Sequence, residues 1–87
     1  MVAERSETVE WLKKWFTARN GTRPVDIENN YFEAGLIDSM AVVELILEIE
    51  KKFGMRFKER HFQDRRFATI KGLADIIGEI KSAEASK

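Results

Sequence analysis

The feature that most constrains this chain is the spacing of its apolar residues between positions 39 and 53. At 100° per residue, four of them point the same way around a helix. These four are Val42, Ile46, Ile49 and Phe53. Gly54 follows as a helix stop, and the lysines at 51 and 52 suit the last helical turn. We therefore predict a helix over 39–53 whose core face is formed by these four residues.

Two further segments have helical spacing. Apolar residues recur every three or four positions from about residue 4 to 19, and Asn20-Gly21 ends this helix. A final helix follows Thr69, a candidate N-cap, with apolar residues at Ile70, Leu73, Ala74, Ile77 and Ile80. Residues 55–69 are irregular and predict one short helix near 59–64. Because no alternating strand pattern of useful length occurs, the predicted fold is all-α: a small bundle of three main helices plus one short helix.

The connection over 21–38 is long and contains the one proline of the chain, Pro24. Four apolar residues near its end are expected to pin it to the core: Tyr31, Phe32, Leu36 and Ile37. Loops of this length are usually functional or disordered, and these anchors favour a functional loop.

The chain has 87 residues, which suits one small domain over 1–87. We expect its core to span about 5–81 and its tail, 82–87, to fray. Apolar runs are far shorter than the roughly 20 residues of a membrane span, and the N-terminus lacks a signal-peptide pattern. We therefore expect a cytoplasmic protein without membrane insertion, and a monomer is the default expectation.

The chain contains no cysteine and a single histidine, His61. This composition excludes disulfides, thiolate metal sites and a cysteine nucleophile, and no metal site is predicted. His61 is expected at the surface or at the core boundary. Because no constellation of acid, base and nucleophile is evident, the chain is predicted not to be an enzyme.

The charge is balanced overall, with 15 basic and 15 acidic residues, but unevenly distributed. Residues 36–53 hold four acids against two lysines, whereas residues 54–72 hold six cations against two acids. The basic stretch 56–66 is too small to predict nucleic-acid binding, yet its sign could select a partner.

The side of the 39–53 helix opposite the predicted core carries two apolar residues, Met40 and Leu47. Glu44 lies between them, and Lys51 continues the same side. An exposed apolar pair rimmed by charge is a candidate contact surface for a partner protein. Isolated apolar residues are also common on ordinary surfaces, so both interpretations stand.

Asp38 and Ser39 stand where this helix begins. A side chain here can cap the helix, which contributes about 1 kcal/mol. A phosphate attached to Ser39 would also be stabilised by the free N–H groups and the positive end of the helix dipole. Local physics alone favours the cap.

The stretch GLIDSM (35–40), followed by VVELILEIEKKFG, resembles the acyl carrier protein family, which includes peptidyl and D-alanyl carriers. The family's mark is an Asp-Ser pair followed by Leu or Met at the start of the second helix. The resemblance implies that Ser39 receives 4′-phosphopantetheine and that Asp38 orients it. It also implies that Met40, Glu44, Leu47 and Lys51 contact partner enzymes. The bare tripeptide is a weak motif, but with this helix, length and layout it is specific.

The implied protein does no chemistry itself. An acyl or aminoacyl group is bound as a thioester on the thiol of the arm and is moved between enzymes. The implied partners are a phosphopantetheinyl transferase, an acyl- or aminoacyl-activating ligase and downstream acyl-transferring enzymes, with no nucleic acid. Carriers for fatty acids, polyketides and nonribosomal peptides share this scaffold, so the cargo stays open.

Two departures from the common fatty-acid carriers indicate a specialised pathway. Gly35 lies four residues before Ser39 instead of three, and Ala41 and Lys51 stand where acids are common. The basic stretch 56–66 is also unlike the acidic type. The alternative hypothesis is a small helical adaptor or nucleic-acid-binding bundle that uses the 56–66 patch.

Overall fold

The computed structural model describes residues 2–85, with side chains over 6–84, and this part of the chain is all-helical. The elements are α1 (Val2–Asn20), α2 (Ser39–Phe53), α3 (Glu59–Phe62), a 3-10 turn (Arg65–Ala68) and α4 (Ile70–Ala85). Three long helices and one short helix confirm the predicted fold class. The helical stop at Asn20-Gly21, the C-cap at Gly54 (φ 63°) and the N-cap at Thr69 are confirmed as well.

At the C-terminal end, α4 includes residues 82–85 of the tail that the sequence predicts to fray. Alanine and glutamate make up most of this stretch, and both are good helix formers. Residues 86–87, the rest of the predicted tail, lie outside the described residues.

One hydrophobic core joins all three long helices and the loop between α1 and α2. Its fully buried members are Leu12, Phe16, Tyr31, Leu45, Ile49, Ile70, Leu73, Ile76 and Ile77. The tightly packed α4 supplies four of these, so it forms the centre of the bundle.

The buried face of α2 differs from the prediction. Ala41, Leu45 and Ile49 are the buried residues of this helix, whereas Val42 and Ile46 pack only at the edge of the core. Both sets have i, i+4 spacing and are apolar, so two neighbouring stripes compete for the core. Packing selects the one centred on Leu45, which shares Ile49 with the predicted set and rotates the buried face by about 70° from the predicted orientation.

The long loop is pinned to the far end of the chain through Tyr31. Its backbone N–H donates to Ala68 O at 2.9 Å, and its hydroxyl donates to Phe67 O. Burial raises the pKa of the Tyr31 hydroxyl, which keeps this donor protonated. Leu36 and Ile37 are buried as predicted. Phe32 is 41% exposed, and its ring packs against Tyr31 at an angle of 51°, with ring centroids 4.9 Å apart.

The 3-10 turn and α4 approach each other closely at Gly72. A Cβ built on Gly72 would lie 2.2 Å from Arg66 O and 2.7 Å from Arg66 Cα. Backbone atoms therefore occupy the space that any side chain would need, and only glycine fits.

His61 is 9% exposed and lines a surface depression beside Arg60 and Asp64, which agrees with the predicted position at the core boundary. Its Nδ1 accepts the Lys58 backbone N–H at 2.8 Å and so caps α3. Burial lowers the pKa of His61, and the nearby cations Arg60 and Lys58 lower it further, against a smaller opposing effect of Asp64 and Glu79. The neutral ring is thus the form that the fold stabilises.

We expect the free energy of unfolding to fall on mild acidification because of His61. The unfolded imidazole, with a pKa of about 6.5, takes up a proton before the folded one does. The His61 contribution is therefore fully present above about pH 6.5 and is lost as pH falls through the lowered folded pKa. Urea unfolding at about pH 7 and pH 5 measures this change, and His61→Gln should flatten it. An equal loss in both proteins would contradict the prediction.

Candidate functional site

At the N-terminus of α2, helix capping and an available hydroxyl are provided by two different residues. Asp38 is the N-cap, and its Oδ1 accepts the N–H groups of Met40 at 3.1 Å and Ala41 at 2.8 Å. Ser39 is the first helical residue and is exposed. Its hydroxyl has no hydrogen-bond partner within residues 2–85. The capping is thus done by Asp38, and the Ser39 hydroxyl is left free for chemistry.

The loop that leads into this site is held in a fixed path. Gly35 adopts a left-handed conformation at φ 72°, which turns the chain so that Leu36 and Ile37 enter the core. The Arg23 side chain donates to the carbonyl oxygens of Ala34 at 2.8 Å and Gly35 at 3.0 Å. These contacts position the backbone immediately before Asp38 and Ser39.

Replacing Asp38 with alanine is expected to destabilise the protein by about 1 kcal/mol, because two N–H groups of the first turn lose their acceptor. Asp38→Asn should retain most of this stability, since an amide oxygen also caps helices. Urea unfolding of the two variants checks the prediction. Equal stability of Asp38→Ala and the unmodified protein would show that the cap contributes nothing.

Met40 and Leu47 are exposed on α2 as predicted, at 82% and 61%. Sequence reasoning missed a third member of this surface, Val43, which is 55% exposed. The rotation of α2 explains the miss, because it turns Val43 outward. We call Met40, Val43 and Leu47 the apolar stripe.

The acids beside the apolar stripe are tied to α1. Glu44 forms an ion pair with Arg19 at 3.1 Å, and Glu48 accepts the Trp15 indole N–H at 2.8 Å. The Arg19 guanidinium lies 4.8 Å from the centre of the Trp15 ring. Both side chains of the ion pair are well exposed, so its contribution to stability is small. Its main effect is to give the Glu44 carboxylate a partner of opposite charge within the chain.

The basic stretch 56–66 contains one cation that is already neutralised. Arg66 bonds to Glu79 at 2.5 Å and to Asp64 at 2.9 Å. These hydrogen bonds raise the pKa of Arg66 and lower those of Asp64 and Glu79. The patch invoked by the alternative adaptor hypothesis is therefore smaller than the sequence suggests.

Within residues 2–85, no group of three or more His, Asp or Glu side chains is placed to hold a metal ion. No helix in the same range combines the length and apolar character needed to cross a membrane.

Comparison with known proteins decides the family. The family model described as phosphopantetheine attachment site matches residues 12–77, most of the chain, including Ser39. The chain belongs to this family. The carrier is also similar to the D-alanyl carrier proteins of Streptococcus sanguinis (strain SK36) and Streptococcus thermophilus (strain ATCC BAA-491 / LMD-9). Each is 32% identical over 57 residues, or 66% of this chain and 72% of the relative.

A shorter match covers the D-alanyl carrier protein of Leuconostoc mesenteroides, which is 50% identical over 30 residues, 34% of this chain and 38% of the relative. No solved structure matches the chain.

Family membership gives this carrier a covalently attached 4′-phosphopantetheine group and a role in carrying acyl groups. Carriers of this kind are substrates of phosphopantetheinyl transferases and of ligases and transferases. The first turn of α2 fits the group, because it presents an exposed hydroxyl without a hydrogen-bond partner at the positive end of a long helix.

Proposed function

We propose that Ser39 is the attachment site of 4′-phosphopantetheine and that this chain is a non-catalytic carrier. The observation that carries the proposal is the division of roles at α2, where Asp38 caps the helix and leaves the Ser39 hydroxyl exposed. Attachment forms a bond from Ser39 Oγ to the phosphorus that coenzyme A supplies. The pyrophosphate bond breaks, adenosine 3′,5′-bisphosphate leaves, and the hydroxyl proton passes to a base of the transferase.

The chain's own residues prepare this step. Asp38 holds the first turn of α2 in place, and the loop contacts of Arg23 and Gly35 fix its approach. A phosphodiester at Ser39 lies at the positive end of the helix dipole, which favours its negative charge. The group supplies a thiol that holds the cargo as a thioester, in a chain that has no thiol of its own.

We further propose that the cargo is an acyl or aminoacyl group of a specialised pathway outside the usual fatty-acid synthase. The similarity to D-alanyl carrier proteins supports an aminoacyl cargo. The arrangement of Gly35, Ala41 and Lys51 supports a dedicated set of partners. Met40, Glu44, Leu47 and Lys51 are the residues proposed to meet the transferase, the activating ligase and the downstream enzymes.

The test is to incubate the protein with coenzyme A and a promiscuous phosphopantetheinyl transferase and to measure its intact mass. The expected result is one phosphopantetheinyl mass gain that peptide mapping assigns to Ser39. No gain with several transferases, or a gain on Ser6, Ser82 or Ser86, would contradict the assignment. Incubation of the modified protein with D-alanine, ATP and a D-alanine-activating ligase then tests the aminoacyl cargo through a hydroxylamine-sensitive mass gain.

A further inference from the structure

The three acids of α2 all have partners within the chain. Glu44 is paired with Arg19, and Glu48 accepts the Trp15 N–H. Glu50 accepts the backbone N–H of Phe57 at 3.0 Å, which folds the chain after Gly54 back onto the end of α2. Part of the negative charge of α2 is therefore already matched by donors within the chain.

The cations at the end of α2 and around α3 are in the opposite situation. Six are exposed and have no ion-pair partner within the described part of the chain. We call them the basic corner: Lys51, Lys52, Arg56, Lys58, Arg60 and Arg65. Glu59 is the one exposed acid within 51–65. The charge available to a partner at this end of the molecule is thus positive.

Lys51 connects the basic corner to the apolar stripe. Lys51 follows Leu47 by four residues and so lies on the same side of α2. Lys51 and Arg56 then line one depression of about 370 Å³ beyond Gly54, together with the acids Glu50 and Glu84. Cations therefore extend the apolar stripe around the end of the helix.

An aromatic side chain stands among these cations. Phe62 is 45% exposed, and its ring packs against the rings of Phe57 and Phe67 with centroids 5.8 and 5.4 Å apart. The packing holds Phe62 in one place and leaves part of its ring uncovered. An apolar group fixed among unpaired cations is typical of a protein-binding surface.

We propose that this carrier docks its partner enzymes through the apolar stripe and the basic corner together, and that the partner's docking face is an apolar depression rimmed by carboxylates. The assignment of the face to enzymes rests on the proposed function at Ser39. Unpaired cations favour a partner of opposite charge and disfavour a basic one. The overall charge is balanced and the stripe is apolar, which favours an acidic protein over nucleic acid.

The test uses two synthetic amphipathic helical peptides with the same leucine face, flanked by glutamate in one and by lysine in the other. Each is titrated into the isotopically labelled full-length protein, and the amide shifts are followed by NMR. The glutamate peptide should bind about fivefold tighter than its lysine twin at low salt. The shifts should fall on the apolar stripe and on residues 51–65.

Two double variants with the same change in net charge separate the site from general electrostatics. Lys51→Glu/Arg60→Glu should abolish or reverse the preference, while Lys13→Glu/Lys14→Glu on α1 should retain it. Unchanged amide spectra outside the substituted regions confirm that both variants fold.

Three results would overturn the proposal. They are equal or reversed binding of the two peptides, a preference retained in Lys51→Glu/Arg60→Glu, and tighter binding to phosphatidylglycerol vesicles or duplex DNA than to the glutamate peptide. The titration needs no phosphopantetheine. If the peptides show no preference, the proposed attachment at Ser39 is unaffected. If the transferase does not modify Ser39, the titration still measures which charge the docking face prefers.

Discussion

Replacing Ser39 with alanine is expected to abolish phosphopantetheinylation, with no mass gain after prolonged incubation with coenzyme A and transferase. The substitution removes the one exposed hydroxyl at the start of α2 and therefore the oxygen proposed to attack phosphorus. Because Asp38 supplies the cap, the fold should be unaffected, with a change in stability within about 0.5 kcal/mol. Intact mass and urea unfolding measure the two effects separately.

Ser6→Ala is the matched control, since Ser6 is also an exposed serine on a helix but stands outside the motif. It should be modified as fast as the unsubstituted protein. A phosphopantetheinyl gain that persists in Ser39→Ala would place the group elsewhere. Loss of the fold in Ser39→Ala would show that the hydroxyl is structural.

Gly72→Ala should be the most destabilising of the conservative substitutions. The new methyl group would lie within 2.2 Å of Arg66 O, so the 3-10 turn and α4 must separate. Overpacking of this kind costs about 3 kcal/mol, at the upper end of its usual range, because the colliding atoms are backbone. For a domain of this size, that corresponds to a fall in melting temperature of about 12–24 °C.

Gly78→Ala is the control on the same helix. Nothing lies within 4 Å of a Cβ built there, and the position is exposed. The gain in helix propensity should stabilise the protein by about 1 kcal/mol. Opposite signs for the two variants are expected in thermal unfolding. A similar melting temperature for both would mean that the close approach at Gly72 is not a constraint.

The sequence predicts the helices well because their ends carry residues with few alternatives. Gly54 caps the C-terminus of α2 and Thr69 caps the N-terminus of α4, both at the positions predicted from the sequence. The orientation of α2 is less predictable. Two adjacent stripes of apolar residues fit the helical period, and only packing against α1 and α4 decides that Leu45 and not Ile46 is central.

The candidate site likewise has features that the sequence predicts and features that depend on packing between helices. Ser39 and Asp38 are adjacent in a motif, so the sequence alone predicts their roles, which stay to be tested. The occupation of Glu44 and Glu48 is not predictable, because their partners Arg19 and Trp15 belong to another helix. The burial of His61 likewise depends on a short helix whose cap is its own side chain.

The attachment of Tyr31 to the 3-10 turn has a mechanical consequence. The loop that leads to Ser39 is joined to this turn by the bonds from Tyr31 to Phe67 and Ala68. Because Tyr31 is 1% exposed, the loop cannot leave the turn without breaking both bonds and bringing the ring into water.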